Sequence, residues 1–267
     1  MPALLNWMNV AAGNGCRFYL GTHIPHWLET WGVPLFVSRR RLMGRRTLPR
    51  ALAPWALDSG GFTEVGTYGG WSIGPREYAA EVRRFRDEIG LMEWASIQDW
   101  MCEPKVLART GKSVAEHQGL TIRNFLDLAS IAPDIPWIPV LQGWEPADYI
   151  RHANDYAAAG VDLTAAKIVG VGTVCRRQGG LEALGIFRSI SRLGIRCHGF
   201  GVKLDGLRLA APYLRSADSM AWSSAACWRP EEARCSGPRT HKTCANCQPW
   251  ASTWRSQVLT TPGVVEI

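Results

Sequence analysis

Eight short apolar runs, separated by stretches of helical period, constrain this sequence more than any other feature. They fall at 17–20 (RFYL), 34–38 (PLFVS), 54–58 (PWALD), 94–98 (WASIQ), 137–141 (WIPVL), 166–171 (AKIVGV), 195–200 (IRCHGF) and 216–222 (SADSMAW). Near-continuous apolarity over so few residues predicts strands buried on both faces. Between them lie amphipathic stretches such as GPREYAAEVRRFRDEIG, SVAEHQGLTIRNFLDLA, EPADYIRHANDYAAAG and GLEALGIFRSISRLG. Pro75 and Pro146 stand near the starts of two of these, where a helix tolerates proline. The alternation predicts the α/β class and a (β/α)8 TIM-type barrel, for which 267 residues suffice. No repeat or low-complexity linker divides the chain. One barrel domain over 1–267 is expected, with a cysteine-rich appendage at about 227–255.

Composition excludes two classes. Hydrophobic residues make up 46% and charged residues 20%, which rules out wholesale disorder. No apolar run approaches the roughly 18 residues of a membrane span. The opening MPALLNWMNVAAGNG has no basic region ahead of an apolar one, so no signal peptide and a cytoplasmic location are expected.

The eight cysteines sort into two groups. Cys16, Cys102, Cys175 and Cys197 lie in or near apolar runs and are read as buried reduced thiols. The others gather late: Cys227, then CSGPRTHKTCANC with Cys235, His241, Cys244 and Cys247. A Cys-x2-Cys pair with one more cysteine and a histidine supplies four ligands for a structural Zn2+. A disulfide or redox pair is the competing reading, weakened by the lack of a secretion signal. Cys227 is an alternative to Cys235.

The formal charge is +7, and its densest source is SRRRLMGRRTLPR, with Arg39, Arg40, Arg41, Arg45, Arg46 and Arg50. No acidic residue occurs between Glu29 and Asp58, so local ion-pair partners are absent. A guanidinium fork matches phosphate oxygens, which points to nucleic-acid backbone; a solvated loop is the plain alternative.

In a (β/α)8 barrel, chemistry collects at the C-terminal ends of the strands. Asp58 ends the third predicted strand in WALDSGGFTEVG. Asp99 follows the fourth, Gln142 and Gly143 the fifth. Gly170 and Gly172 end the sixth, His198 to Gly201 the seventh, and Asp218 lies on the eighth. The glycines after Asp58 let a flat ligand approach the backbone, and Phe62 and Phe200 are placed to clamp an aromatic ring.

At these positions the chain resembles a known family. DSGGF, LQG, VGVG, HGFG and ADSMAW are similar, in order, to the motifs of tRNA-guanine transglycosylases, from about residue 54 to the C-terminal cysteines. GLMEWASIQDWMCEP, VLQGW, HGFGVK and HKTCANC look closest to the phage and bacterial 7-deazaguanine DNA-modification transglycosylases (DpdA-like). The resemblance implies base exchange at a nucleoside. Asp218 would attack C1′ and Asp58 would act as general acid/base. Asp99 and Gln142, beside Gly143, would bind the base edge, with backbone groups from Gly170 and Val171. Phe62 and Phe200, the latter next to Gly201, would stack on its faces.

The partners so implied are DNA and a 7-deazaguanine base such as preQ0, with tRNA as the alternative nucleic acid. The order Cys235, His241, Cys244, Cys247 departs from the family's Cys-x-Cys-x2-Cys and downstream histidine. Only 20 residues follow Cys247, too few for an added RNA-binding domain, which favours DNA. A tRNA transglycosylase and a non-catalytic nucleic-acid-binding barrel remain the other readings. A glycosidase would explain paired carboxylates, but neither the cysteine cluster nor the arginine run.

Overall fold

The computed structural model describes residues 15–174, 181–230, 235 and 241–266. The opening 14 residues and Cys175 lie outside these. Ten parallel strands form one sheet: β1 (Cys16–Thr22), β2 (Leu35–Ser38), β3 (Trp55–Asp58), β4 (Met92–Ser96), β5 (Trp137–Ile138), β6 (Val140–Leu141), β7 (Val169–Val171), β8 (Cys197–Gly199), β9 (Leu214–Ser219) and β10 (Val264–Val265). Their order is β5-β4-β3-β2-β1-β9-β8-β7-β6. The two ends of that path, β5 and β6, are consecutive in sequence and flank Pro139. They are therefore halves of one stave, and the sheet closes there into an eight-stave barrel.

Pro139 has no amide to give to the ladder, which splits the expected strand 137–141. Its carbonyl still accepts from the Gly170 amide at 2.9 Å. β10, not expected from the sequence, pairs with Cys16 and Arg17 of β1. The run 216–222 predicts one strand, but β9 stops at Ser219 and Ala221–Trp228 is a helix.

Side chains alternate along each strand. Phe18 and Leu20, Leu35 and Val37, and Trp55 and Leu57 point outward into the main core beneath the helices. Tyr19, Phe36, Ala56, Trp94, Ile138 and Ile168 form a separate cluster inside the barrel. The helix Pro75–Ile89 starts on its proline and buries Tyr78, Ala79, Val82, Phe85 and Ile89 along one stripe. The helix Val114–Ile131 starts on a capping box, with the Glu116 amide donating to Ser113 Oγ at 3.2 Å and the Ser113 amide donating to Glu116 Oε2 at 2.7 Å. Among the described residues no helix is long and apolar enough to cross a membrane.

The inward phase sets the site. Two residues beyond Phe36 comes Ser38, and two beyond Ala56 comes Asp58. On β9, Asp218 pairs in register with Tyr19. Polar groups therefore take over where the aromatic interior ends.

Candidate active site

The first carboxylate belongs to β3. After Asp58 the chain turns through Ser59 and Gly60 into the helix Gly61–Tyr68. Gly60 has φ of +79°, and a Cβ there would lie 2.8 Å from Arg40 Cγ, so only glycine fits without strain. Burial pushes the Asp58 carboxyl above its ordinary range. Hydrogen bonds from the Ser38 side chain and the Gly60 backbone pull the other way, and the Asp218 charge adds to the upward push.

A second carboxylate lies beside it. Asp99 Oδ1 accepts from Ser59 Oγ at 3.0 Å, and Oδ2 accepts from Gln142 Nε2. Burial raises Asp99 to about 6, against the Ser59 hydrogen bond and with the help of the Asp58 charge. Gln142 is fully buried and held on every side. Its Oε1 accepts from Thr173 Oγ1 at 2.6 Å, and its backbone amide donates to His152 Nδ1 at 2.9 Å. Its carbonyl accepts from Gln118 Nε2 at 2.7 Å.

The third carboxylate, Asp218, is buried on β9. Its Oδ1 accepts from the Gly201 amide at 2.8 Å and lies 3.3 Å from His198 Nε2. Asp58, Asp99 and Asp218 thus come from three strand ends onto one rim. Burial is the main cause of the upward shifts of Asp58 and Asp99, and the neighbouring carboxylate charge adds to each.

Phe200 is half-buried. Its ring occupies the space a side chain at Gly170 would need, with Phe200 Cε2 2.5 Å from that Cβ position. It stacks on Phe36 at 6.0 Å and 29° between ring planes. Phe62 stands on the first turn of the helix Gly61–Tyr68 with 48% of its surface exposed. The two rings therefore sit in different settings, one packed into the barrel and one facing solvent. The Gly170 amide is engaged by Pro139, and the Val171 carbonyl accepts from the Phe200 amide at 3.4 Å. Gly143 packs against the first turn of the next helix, where a Cβ would lie 2.7 Å from that of Asp148.

Beside the helix that follows Asp218, Cys235, His241, Cys244 and Cys247 bring their ligand atoms within 4.8 Å of one another. His241 Nε2 lies 3.7 Å from Cys235 Sγ and 3.3 Å from Cys244 Sγ. Three thiols and an imidazole at this spacing can hold a metal ion; tetrahedral zinc, with bonds of about 2.0–2.3 Å, places its ligands at such separations. Cys227 is exposed and stands outside the group. Cys16, Cys102 and Cys197 are buried free thiols, as expected, and burial lifts Cys16 and Cys197 to about 12. This cysteine and histidine group is tied to the barrel through two indoles. Trp250 Nε1 donates to the Trp222 carbonyl at 2.9 Å, and Trp222 Nε1 donates to the Gly21 carbonyl at 2.8 Å.

Over residues 15–266 the sequence matches the family described as "DpdA: DeoxyPurine in DNA protein A". The chain belongs to the DpdA family. That membership supports a DNA-modification function of transglycosylase type. No curated protein matches the sequence. Among solved structures, the chain is similar to the YdjI aldolase from Escherichia coli K12, at 11% identity and a TM-score of 0.42, over 97% of this chain and 96% of that one. It is also similar to the fructuronate-tagaturonate epimerase UxaE from Cohnella laeviribosi, at 11% identity and a TM-score of 0.38, over 93% of this chain and 72% of that one. Likeness at these scores carries no argument about function.

In this DpdA-family chain the arginine run divides. Arg39 is buried and ion-paired to Glu64, at 3.5 Å, and to Glu81. Arg40 pairs with the same Glu64 at 2.9 Å and lies over the Tyr68 ring at 5.7 Å. The partners missing from the local sequence arrive from the two following helices. Arg41, Arg45 and Arg46 are exposed, with Arg45 Nε donating to the Arg41 carbonyl at 2.9 Å. Ser38 and Thr173 touch Asp58 and Gln142, and residue type alone does not single them out. Thr173 carries a φ of +57°, rare for a β-branched residue. Nothing in the sequence announces that. His198 stands inside the HGFG motif, so its place was visible and its contact was not.

Proposed function

We propose that this protein exchanges guanine in DNA for a 7-deazaguanine base such as preQ0, through a covalent intermediate on Asp218. The observation that carries the reading is the convergence of Asp58, Asp99 and Asp218 on one barrel rim, with Asp58 biased toward its protonated form. Asp218 attacks C1′ of the target nucleoside, the bond from C1′ to N9 breaks, and its electron pair leaves with guanine. Asp58 gives the departing guanine a proton. The oxocarbenium character that builds at C1′ is stabilised and then trapped by the Asp218 carboxylate. The incoming base attacks C1′ through N9, returns a proton to Asp58, and releases the Asp218 carboxylate. Asp99 and Gln142 bind the base edge, and Phe62 and Phe200 supply apolar faces beside it. The target base must leave its stack to reach this rim.

The reading is tested by incubating the protein with DNA and labelled guanine or preQ0, and by mass spectrometry of nucleosides from DNA and from tRNA. Label in DNA supports the proposal. Label in tRNA alone moves the reaction to RNA, and label in neither removes it.

Zinc is the ion that suits Cys235, His241, Cys244 and Cys247; it would supply a fixed cross-link beside the helix that follows Asp218. Elemental analysis should find about one zinc per chain, and Cys244→Ser should lose it. Folded protein with a zinc content near zero would discard the site.

Arg41, Arg45 and Arg46 are assigned to DNA phosphates. The triple alanine variant should weaken DNA binding and lower the slope of log K against log salt by about 2–3, near 0.9 per lost contact. Arg39 is left out of this variant because its loss would act through stability. An unchanged slope returns these arginines to ordinary surface.

A further inference from the structure

His198 is fully buried at the centre of the barrel. Four aromatic rings enclose it: Trp94 at 4.6 Å between centroids, Phe200 at 4.9 Å, Phe36 at 5.6 Å and Tyr19 at 6.1 Å. Through that wall of rings it makes two polar contacts. Nδ1 lies 2.7 Å from Ser216 Oγ, and Nε2 lies 3.3 Å from Asp218 Oδ1. A carboxylate oxygen only accepts, so Nε2 carries the hydrogen. In the neutral ring, Nδ1 then accepts from the Ser216 hydroxyl, and Ser216 selects the tautomer.

Two donors, His198 Nε2 and the Gly201 amide, therefore meet on the same oxygen of Asp218. Oδ2 makes no hydrogen bond to any described residue. We propose that His198 is a positioning residue that, with the Gly201 amide, holds Asp218 by Oδ1 and so makes Oδ2 the atom that attacks C1′. The proposal rests on the reading of Asp218 as nucleophile.

The chemistry of both half-reactions follows from that choice. When Oδ2 bonds to C1′, Oδ1 becomes the carbonyl oxygen of the new ester, still facing both donors. Those donors draw charge from the carboxyl group. In the second half-reaction the bond from C1′ to Oδ2 breaks, and its electron pair returns to a carboxylate already stabilised at Oδ1. Fixing one oxygen also removes rotation about the Cβ–Cγ bond as a way for the nucleophile to turn aside.

The test compares wild type with His198→Phe, which fills the aromatic cage without a donor, and His198→Gln, whose amide nitrogen can reach the place of Nε2. Single-turnover formation of the denaturant-resistant DNA adduct is read alongside DNA affinity. His198→Phe should form the adduct about 10- to 100-fold more slowly, with DNA affinity within about twofold of wild type. His198→Gln should recover most of that loss. Adduct formation by His198→Phe at the wild-type rate, or a glutamine variant no faster than the phenylalanine one, would overturn the proposal.

Should His198→Phe fail to fold, Ser216→Ala keeps the test alive. Imidazole 15N shifts should show the Nε2–H tautomer in wild type and a mixture in Ser216→Ala; a wild-type ring protonated at Nδ1 alone would also overturn the proposal. Wild-type protein that shows the Nε2–H tautomer but forms no adduct would instead refute the reading of Asp218 as nucleophile.

Discussion

Asp218→Asn is expected to form no denaturant-resistant adduct with DNA and to lose base exchange by about 10³-fold or more, the scale on which removing a covalent nucleophile acts. The variant isolates chemistry from fold. Asparagine keeps an oxygen at the Oδ1 position, so the Gly201 amide and His198 retain their acceptor. Only the anionic Oδ2 is replaced. Asp58→Asn should lose about 10²–10⁴-fold, because an amide cannot hand a proton to the departing guanine. Both proteins should unfold near the wild-type denaturant midpoint, since rim carboxylates serve the site more than the core. The measurement is incorporation of labelled base into DNA, with adducts scored on denaturing gels. Exchange by Asp218→Asn at the wild-type rate would falsify the mechanism.

A second substitution should act on the fold itself. Glu64→Ala is expected to destabilise the protein by about 1–3 kcal/mol, the cost of leaving buried donors without their acceptor. Glu64 and Arg39 are each only 1% exposed at the side chain, so water does not replace the lost carboxylate, and Arg39 is left with Glu81 alone. Glu64 also accepts from the Ser72 amide at 3.0 Å and from Ser72 Oγ at 2.6 Å, closing the loop after its helix. Urea unfolding at pH 7 measures the change. A loss below about 1 kcal/mol, the level of an exposed pair, would show that the network holds nothing together.

Burial pushes the Glu64 carboxyl up, but the Ser72 donors and then Arg39 and Arg40 outweigh it and leave it below its ordinary range. A lowered carboxylate contributes stability that is fully present above the unfolded value of about 4.3 and fades as pH falls through the folded one.

These two expectations differ in how much of them could be read from the sequence. The carboxylates stood at predicted strand ends, and period-two alternation brings them to one rim without further information. The family motifs carried the same residues in the same order. Register was not legible. That Asp218 meets the Gly201 amide and His198, and that Ser216 stands behind His198, depends on how β8 slides along β9. Their register shifts between Cys197 and His198. Arg39 shows the same gap from the other side. Its run looks free of partners because Glu64 and Glu81 lie 25 and 42 residues on, and only the fold brings their two helices back beside it.

The eighth predicted strand, 216–222, overruns β9 for a local reason. Met220, Ala221 and Trp222 continue the apolarity of SADS, so hydropathy shows no boundary at Ser219. Met220 leaves extended geometry, with φ −110° and ψ 19°, and the helix begins after it.

The stave broken at Pro139 carries a dynamic consequence. Elsewhere neighbouring staves of the barrel pair over three or four residues, but this stave is joined to each neighbour by two. Trp137 and Ile138 lie against Ala95 and Ser96, and Val140 and Leu141 against Gly170 and Val171. A ring of strands has no free edge, so it can breathe only by parting at a seam, and the seam with fewest rungs parts first. Gln142 stands immediately beyond that seam, tethered to Asp99 on one side and Thr173 on the other. Those two side-chain bonds latch the mouth of the barrel. On the proposed role of Gln142, a base edge that takes it as partner competes for that latch, and arrival of the substrate would loosen the seam in the same event.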